Sequence, residues 1–411
     1  MVKRLDLALD IGEQMLLSGA EVHRVEDSLT RICTAFGASR VDVFIITASM
    51  VLTVHDENGE PYTQTRRIFG ASTDFEKLSK LNALSRKICS SNLSYDEIRG
   101  ELDSITNAKT YPIWVEFAFY SVIAMAFTLF FGGTLIQSVV SLFIGFAVRW
   151  LVLFSDKFVQ NKIFNKFLSS LGLTAFSFIA LKLNIVTSVD EIIIGNIMVL
   201  IPGVGLTNSM RDLFTGDSMA GVLRFIEASL AALAIALGYL AFVFVTRQTP
   251  NYTGVNFSGD LYQYLVPITM AIIGSLGFGV LYNIKNKNLI AVALGGGIGW
   301  SLYILLSTFI DNPTVCYFIV SITISLYAEI MARLLKAPTT VFLTPSLIPL
   351  VPGASLYYTM TTMFASELTL FTSKAFATLQ LAAALALGVI VSTVLMKFVS
   401  ILVLNRINRN S

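Results

Sequence analysis

Two Pro-Gly pairs, Pro202-Gly203 and Pro352-Gly353, lie inside apolar stretches long enough to cross a bilayer. Proline removes a backbone donor and collides with the preceding turn, and glycine weakens a helix further, so each pair predicts a span broken about midway. Broken backbone at that depth survives only where protein or a water-filled cavity satisfies it. The half-helix that begins after each break presents free N–H groups and a partial positive charge, suited to a carboxylate. Asn196, Thr207 and Asn208 flank the first pair, and Thr344, Ser355 and Tyr357 flank the second. One such proline would ordinarily only shape helix packing; two related copies with polar neighbours favour a substrate site.

Acids inside apolar spans are functional candidates by default, as proton sites or as cavity lining. Asp212, Glu227 and Glu329 are such acids, and Arg224, three residues before Glu227, is placed to pair with it on one helical face. Glu116 and Arg149 are expected to snorkel toward an interface. Near the N-terminus, "EVHRVE" sets Glu21, His23, Arg24 and Glu26 within two helical turns. His23 and Glu26 have the spacing of metal ligands, but His55 is the one other histidine in the chain, so a solvated, salt-bridged helix face is the favoured reading. No metal, cofactor or catalytic residue is assigned, because nothing supplies a nucleophile or oxyanion donor beside this cluster.

The elements that would position these residues follow from composition and periodicity. The 411 residues are 55% hydrophobic and 14% charged, with mean hydropathy +0.71, far from the balance of a soluble globule. Most charge falls in residues 1–110. There, helical spacing from Leu5 to Phe36, interrupted at Ser18-Gly19, predicts a helical hairpin. The apolar runs "VDVFII" and "MVLTVHD", an Asn-Gly turn in "ENGE", and "YTQTRRIF" predict a three-stranded antiparallel sheet, and residues 73–106 return to helical spacing. Three scattered cysteines give neither a disulfide framework nor a zinc cluster, and no basic patch points to nucleic acid.

Beyond this α+β domain, ten apolar segments are long enough to span: 113–133, 135–157, 165–184, 190–214, 219–245, 261–283, 288–309, 314–335, 338–364 and 374–402. With the N-terminus in the cytoplasm, Lys157, Lys162, Lys166, Arg211, Arg224, Lys285, Lys287, Arg333, Lys336, Arg406 and Arg409 fall inside, while Lys182, Arg247 and Lys374 fall outside. That asymmetry obeys the positive-inside rule and puts both termini in the cytoplasm. A gapless shift of 150 residues superposes Leu200, Pro202, Gly203 and Leu206 on Leu350, Pro352, Gly353 and Leu356, and Gly238 on Gly388. The chain therefore reads as two homologous five-span halves. Five is odd, so the second half enters the membrane from the opposite side, an inverted repeat of the kind common in secondary transporters. The expected organisation is a mainly α membrane protein: a cytoplasmic domain (1–110), a first repeat (111–246), an outer linker (247–260) and a second repeat (261–411). The glycine-rich "GFGVLYN" and "LGGGIGW" read as helix-packing surfaces, with Gly274 assigned to the same role.

"SGAEVHRVEDSLTRICTAFG", "VDVFIITASMVLTV", "LIPGVGLTNSMRDLFTGDSMAGVLRF" and "LIPLVPGASLY", in that order, resemble the threonine/serine exporter family over essentially the whole chain. The resemblance implies export of a small hydroxy amino acid driven by the proton motive force, through a fused form of an architecture that a related two-protein dicarboxylate system divides between chains. The expected partners are thus a small amino acid or dicarboxylate, protons and the lipid bilayer of the plasma membrane, with a homo-oligomer compatible. The alternatives are a succinate exporter, a passive channel, or a membrane-anchored enzyme working around Glu21, His23 and Glu26.

Overall fold

The computed structural model describes residues 2–46, 48–70, 72–91, 93–158, 161–246, 261–362 and 368–410; the side chains of 203, 204, 207, 211, 215, 261, 263, 360, 368, 397 and 399–410 are outside the description. The expected outer linker, 247–260, lies outside the described residues. The N-terminal helices α1 (Val2–Leu17) and α2 (Val22–Ala35) reverse direction at Gly19, whose φ of +92° favours glycine. Strands β1 (Arg40–Ile46), β2 (Ser49–His55) and β3 (Pro61–Arg67) form an antiparallel sheet in sequence order, with Leu52 opposite Val43 on one side and Gln64 on the other. Alternation makes β2 the inner strand: Met50, Leu52 and Val54 are buried, while Val51 and Thr53 point away. The β2–β3 turn is held by Asp56 Oδ1, which accepts the N–H of Asn58 and of Glu60 at 2.9 Å each, with Gly59 at φ +84°. Helix α3 (Phe75–Ser90) is capped by Asp74, and α4 (Tyr95–Thr106) starts with a Ser94–Glu97 capping box.

The apolar region carries α5 (Ile113–Phe130), α6 (Leu135–Phe158), α7 (Lys162–Lys182), α8 (Asp190–Ile197), α9 (Gly203–Thr215) and α10 (Ser218–Thr246). There follow α11 (Leu261–Leu281), α12 (Asn286–Ser307), α13 (Pro313–Leu335), α14 (Thr339–Leu347), a 3₁₀ turn (Ile348–Leu350), α15 (Gly353–Thr362) and α16 (Leu368–Asn410). Among the described residues, eight helices are long and apolar enough to cross a membrane: α5, α6, α7, α10, α11, α12, α13 and α16. A ninth candidate is the pair α14 and α15, bent by 49° across the second Pro-Gly. The expected fourth span is two short helices, roughly 12 and 20 Å long at 1.5 Å per residue, separated by residues 198–202. Among the described residues the fourth and ninth expected spans are thus both interrupted at their Pro-Gly pairs. The protein is a multi-pass, mainly helical membrane protein with a small N-terminal sheet.

The two sets of helices use matching contacts. α5 packs on α6 as α11 packs on α12, α7 on α10 as α13 on α16, and α9 on α10 as α15 on α16. Asn161 caps α7 and Asn312 caps α13. Ser170 Oγ donates to the Ile235 carbonyl at 2.6 Å, and Ser321 Oγ to the Ala384 carbonyl at 3.5 Å. Gly238 and Gly388 lie against the carbonyls of Phe167 and Phe318, which a side chain at either glycine would strike. Between the sets, α5 packs on α11, α9 on α16, and α15 on both α8 and α10.

The "LGGGIGW" glycines have close neighbours: a Cβ on Gly295 would lie 2.8 Å from Ser346 Cβ, and one on Gly296 2.7 Å from Ser275 Cβ. Gly274 faces the Phe127 ring of α5, where a Cβ would sit 2.8 Å from Cε2. Leucine at 274 has no room, so Gly274→Leu is expected to lower the yield of monodisperse protein several-fold, with transport per folded molecule nearly unchanged. Fluorescence-detected size exclusion beside vesicle transport separates the two quantities.

The N-terminal domain is docked on the helical region by hydrogen bonds at loop ends. Phe75 N donates to the Tyr282 carbonyl at 2.9 Å, Asn283 Nδ2 to Asp74 Oδ1 at 2.9 Å, and Tyr111 Oη to the Ile284 carbonyl at 3.1 Å. Arg24 Nη2 reaches Thr339 Oγ1 at 3.4 Å, and Arg86 Nη2 the Lys336 carbonyl at 3.4 Å. Burial first, and then the charge of Asp217 in the α9–α10 turn, push the Glu26 carboxyl above its ordinary range, so this face of α2 lies within electrostatic reach of that turn too.

Candidate functional site at the broken spans

Both breaks are built by the same backbone device. After α8, Leu200 N and Ile201 N both turn back onto the Ile197 carbonyl, at 2.8 and 2.9 Å, and the chain restarts when Leu206 N donates to the Pro202 carbonyl at 2.9 Å. In the second copy, Pro345, Pro349 and Pro352 tighten α14 into the 3₁₀ turn, and Leu356 N donates to the Pro352 carbonyl at 2.9 Å. The breaks meet. A Cβ on Gly353 would lie 2.5 Å from Met198 Sδ and 3.5 Å from Ile201 Cδ1, so the first turn of α15 rests directly on the non-helical residues between α8 and α9.

Polar groups lie along the elements that meet here, from the break back to the start of α8. From α7, Lys166 Nζ donates to the Leu200 carbonyl at 2.8 Å, placing an ammonium on the opened backbone of the first break. Asn196, 1% exposed in the last turn of α8, donates to the Ile192 carbonyl at 2.9 Å, and its Oδ1 has no partner among the described residues. One turn into α15, Tyr357 Oη donates to Asp190 Oδ1 at 3.4 Å, and the Tyr239 ring stands edge-on to Tyr357 at 5.6 Å. Asp190 is 2% exposed, and its Oδ2 likewise has no partner among the described residues. Glu191 next to it is fixed by Gln137 Nε2 and Ser188 Oγ at 2.9 and 2.8 Å, so the start of α8 is held in place. A buried carboxylate lacking part of its hydrogen bonding is costly unless a donor supplies it. An ammonium suits Asp190; a carboxylate suits Lys166 and the half-helix N-termini.

Pro202, Gly203, Pro352, Gly353 and Asn196 thus belong to the breaks, and Tyr357 stands beside them. Ser355 and Asn208 are half-buried on α15 and α9; the Thr207 side chain is outside the described residues. Thr344 lies on α14, whose packing partners are α11, α12 and α13. The three acids are not gathered at the breaks. Asp212 pairs with Arg224 at 2.9 Å, because the α9–α10 turn at Gly216, φ +100°, folds the two helices side by side. Arg224 therefore faces Asp212 rather than Glu227, which is exposed on α10. Glu329 accepts from Thr339 Oγ1 at 3.0 Å, beside the N-terminal domain. Instead of snorkelling apart, Glu116 and Arg149 pair across α5 and α6, with the guanidinium 5.3 Å from the Tyr120 ring centroid. In "EVHRVE", Arg24 and Glu21 are 4.0 Å apart, and no group of three or more His, Cys, Asp or Glu among the described residues could hold a metal ion.

Asp190, Lys166 and Tyr239 escaped sequence reasoning. Asp190 opens an apolar run and reads as its boundary, and Lys166 reads as an inside-loop cation. The repeat offered one signal for Asp190: the 150-residue shift puts it opposite Thr340, in the first turn of the matching helix.

Comparison with known proteins gives the family. One model of the threonine/serine exporter family matches residues 6–246, and a second matches residues 267–395. A threonine/serine exporter of Corynebacterium glutamicum is 23% identical over 407 residues, 94% of this chain and 81% of its own. A probable threonine/serine exporter of Mycobacterium tuberculosis is 23% identical over 367 residues, 86% of this chain and 69% of its own. YjjP of Escherichia coli, a probable succinate transporter subunit, is 23% identical over 234 residues, 56% of this chain and 90% of its own. No solved structure matches. With the first model covering more than half of the residues and the second most of the remainder, the chain belongs to the threonine/serine exporter family of membrane transporters.

Proposed function

We propose that the protein exports a small hydroxy amino acid, threonine or serine, from the cytoplasm across the plasma membrane, with protons as the coupling ion. In this reading the substrate binds against the opened backbone where the two breaks meet, its carboxylate drawn by the half-helix N-termini and Lys166 with Asn196 nearby, while Asp190, a helix length away at the start of α8, forms with Tyr357 the ammonium-binding end of its path. The observation that carries the reading is that meeting, with a cation on the opened backbone and a buried acid at the far end of α8. The names of the relatives agree with it.

Ten crossings in two inverted halves are the topology proposed, with residues 1–110 and both termini in the cytoplasm, 111–246 and 261–411 as the halves, and 247–260 outside. Parity supports counting α8 and α9 as one crossing. The N-terminal domain precedes α5 and hydrogen-bonds to the loop after α11. With α8–α9 as a crossing, six separate them and both lie on one side; without it, five would leave that loop across the bilayer from the domain that binds it. The matching contacts of the two sets extend the same count to α14–α15.

A dicarboxylate is the second reading, favoured by Lys166 together with two half-helix N-termini, and a succinate transporter subunit is among the relatives. Efflux of labelled threonine, serine and succinate from preloaded proteoliposomes, with and without a proton gradient, decides between them. Gradient-driven, saturable efflux of the amino acids above succinate is the expected result; gradient-independent efflux ends the coupling claim, and succinate preference ends the substrate claim.

A further inference from the structure

A cavity of about 550 Å³ lies between the N-terminal domain and the second set of helices, and none of its lining residues belongs to either break. That volume is within the roughly 300–1,000 Å³ usual for small-molecule sites. Its walls carry both signs of charge: Glu21 at the N-cap of α2 and Arg24 and Asp27 within it face Glu329 and Arg333 from α13, and Thr340 comes from the first turn of α14. Two observations mark more than a seam between domains. Thr340 is 6% exposed, and its Oγ1 has no partner among the described residues, a cost that a bound polar group would remove. The two walls are also joined by a directed relay, in which Arg24 donates to Thr339 Oγ1 at 3.4 Å and Thr339 Oγ1 donates to Glu329 at 3.0 Å.

We propose that this cavity is a second binding site, for a small zwitterionic amino acid on the cytoplasmic side, its carboxylate held by Arg24, Arg333 and the first turn of α14, and its ammonium by Glu21, Asp27 and Glu329. The inference rests on the export reading for its ligand class and for which side is cytoplasmic. Mixed charge argues for a zwitterion over a dianion, because three acids would repel a second carboxylate. A ligand there bridges the soluble domain to α14, the first half of the second broken span. Occupancy on the cytoplasmic side is thereby tied to the element that ends at the meeting point, so the site loads or licenses export according to internal amino-acid concentration.

The test is calorimetric titration of L-threonine, and separately of succinate, into the full-length protein in detergent. Asp190→Asn removes the ammonium partner proposed at the start of α8 and leaves the cavity. In that background threonine is expected to bind still, at least tenfold more weakly when Arg24→Gln or Glu329→Gln is added, and with partial recovery in Arg24→Lys. Thr340→Val keeps the shape of the side chain and removes the hydroxyl; it is expected to weaken threonine several-fold without lowering the melting temperature, which keeps the test decisive if a charge variant fails to fold. No residual threonine binding in Asp190→Asn, residual binding indifferent to all three positions, or succinate bound there more tightly than threonine overturns the proposal. Any of these with intact threonine efflux in the wild type leaves the export reading standing, whereas absent threonine and serine efflux with residual binding removes the export reading and leaves the site.

Discussion

Gly353→Leu is expected to abolish transport in a chain that still inserts and folds. The first turn of α15 rests on Met198, and a Cβ at 353 already comes within 2.5 Å of Met198 Sδ. Leucine adds three more carbons at the point where the breaks touch, displaces Met198 from the first turn of α15, and favours continuation of the helix over the break. The apolar lengths on either side are unchanged, so insertion should persist. Efflux per folded molecule should fall at least tenfold, measured in proteoliposomes against the amount of protein recovered by size exclusion. Met198 is unbranched and can be shortened, so Met198→Ala added to Gly353→Leu should recover part of the lost rate. Wild-type transport by Gly353→Leu would make the breaks packing features and remove the binding site from this place.

Asp190→Asn is expected to be nearly as severe, and for a different reason. Charge-assisted hydrogen bonds contribute about 1.5–3 kcal/mol, so removing the anionic acceptor proposed for the substrate ammonium should weaken amino-acid transport by about 10- to 100-fold. Asparagine keeps the size of the side chain and still accepts from Tyr357, so the packing of α8 against α15 should survive. The expected signature is a large rise in the KM for threonine, with little loss of folded protein. Succinate has no ammonium, and any succinate efflux the protein shows should be unharmed or improved. Equal losses for both substrates would mean that Asp190 has a structural or proton-carrying role and that the ammonium is held elsewhere.

Much of this fold was legible because its signals are local. Alternation in "SMVLTVH", the Asn58-Gly59 turn and the helical spacing of residues 5–36 act within a few bonds of the residues they concern, and the sheet and hairpin follow. The apolar runs fall where the long helices lie, because the cost of exposing backbone to lipid acts on each segment by itself. Pro202-Gly203 and Pro352-Gly353 break their spans because a missing N–H cannot be supplied from elsewhere in a helix.

What tertiary structure alone decided is which of these pieces touch. Asp190 and Tyr357 are 167 residues apart, and nothing near either one signals the other; they meet because α15 packs on α8. Arg224 had two acids within reach of its spacing, Glu227 on its own helix and Asp212 on the previous one, and the turn at Gly216 chose Asp212. Lys166 reads as one more cytoplasmic cation until α7 is packed beside the first break, where its amine finds the Leu200 carbonyl in the opened backbone. Sequence determines where the backbone must open, since that is a property of each residue's own bonds. Which side chains close around the opening is a property of helix packing, set by glycine contacts and buried apolar surface summed over the whole chain.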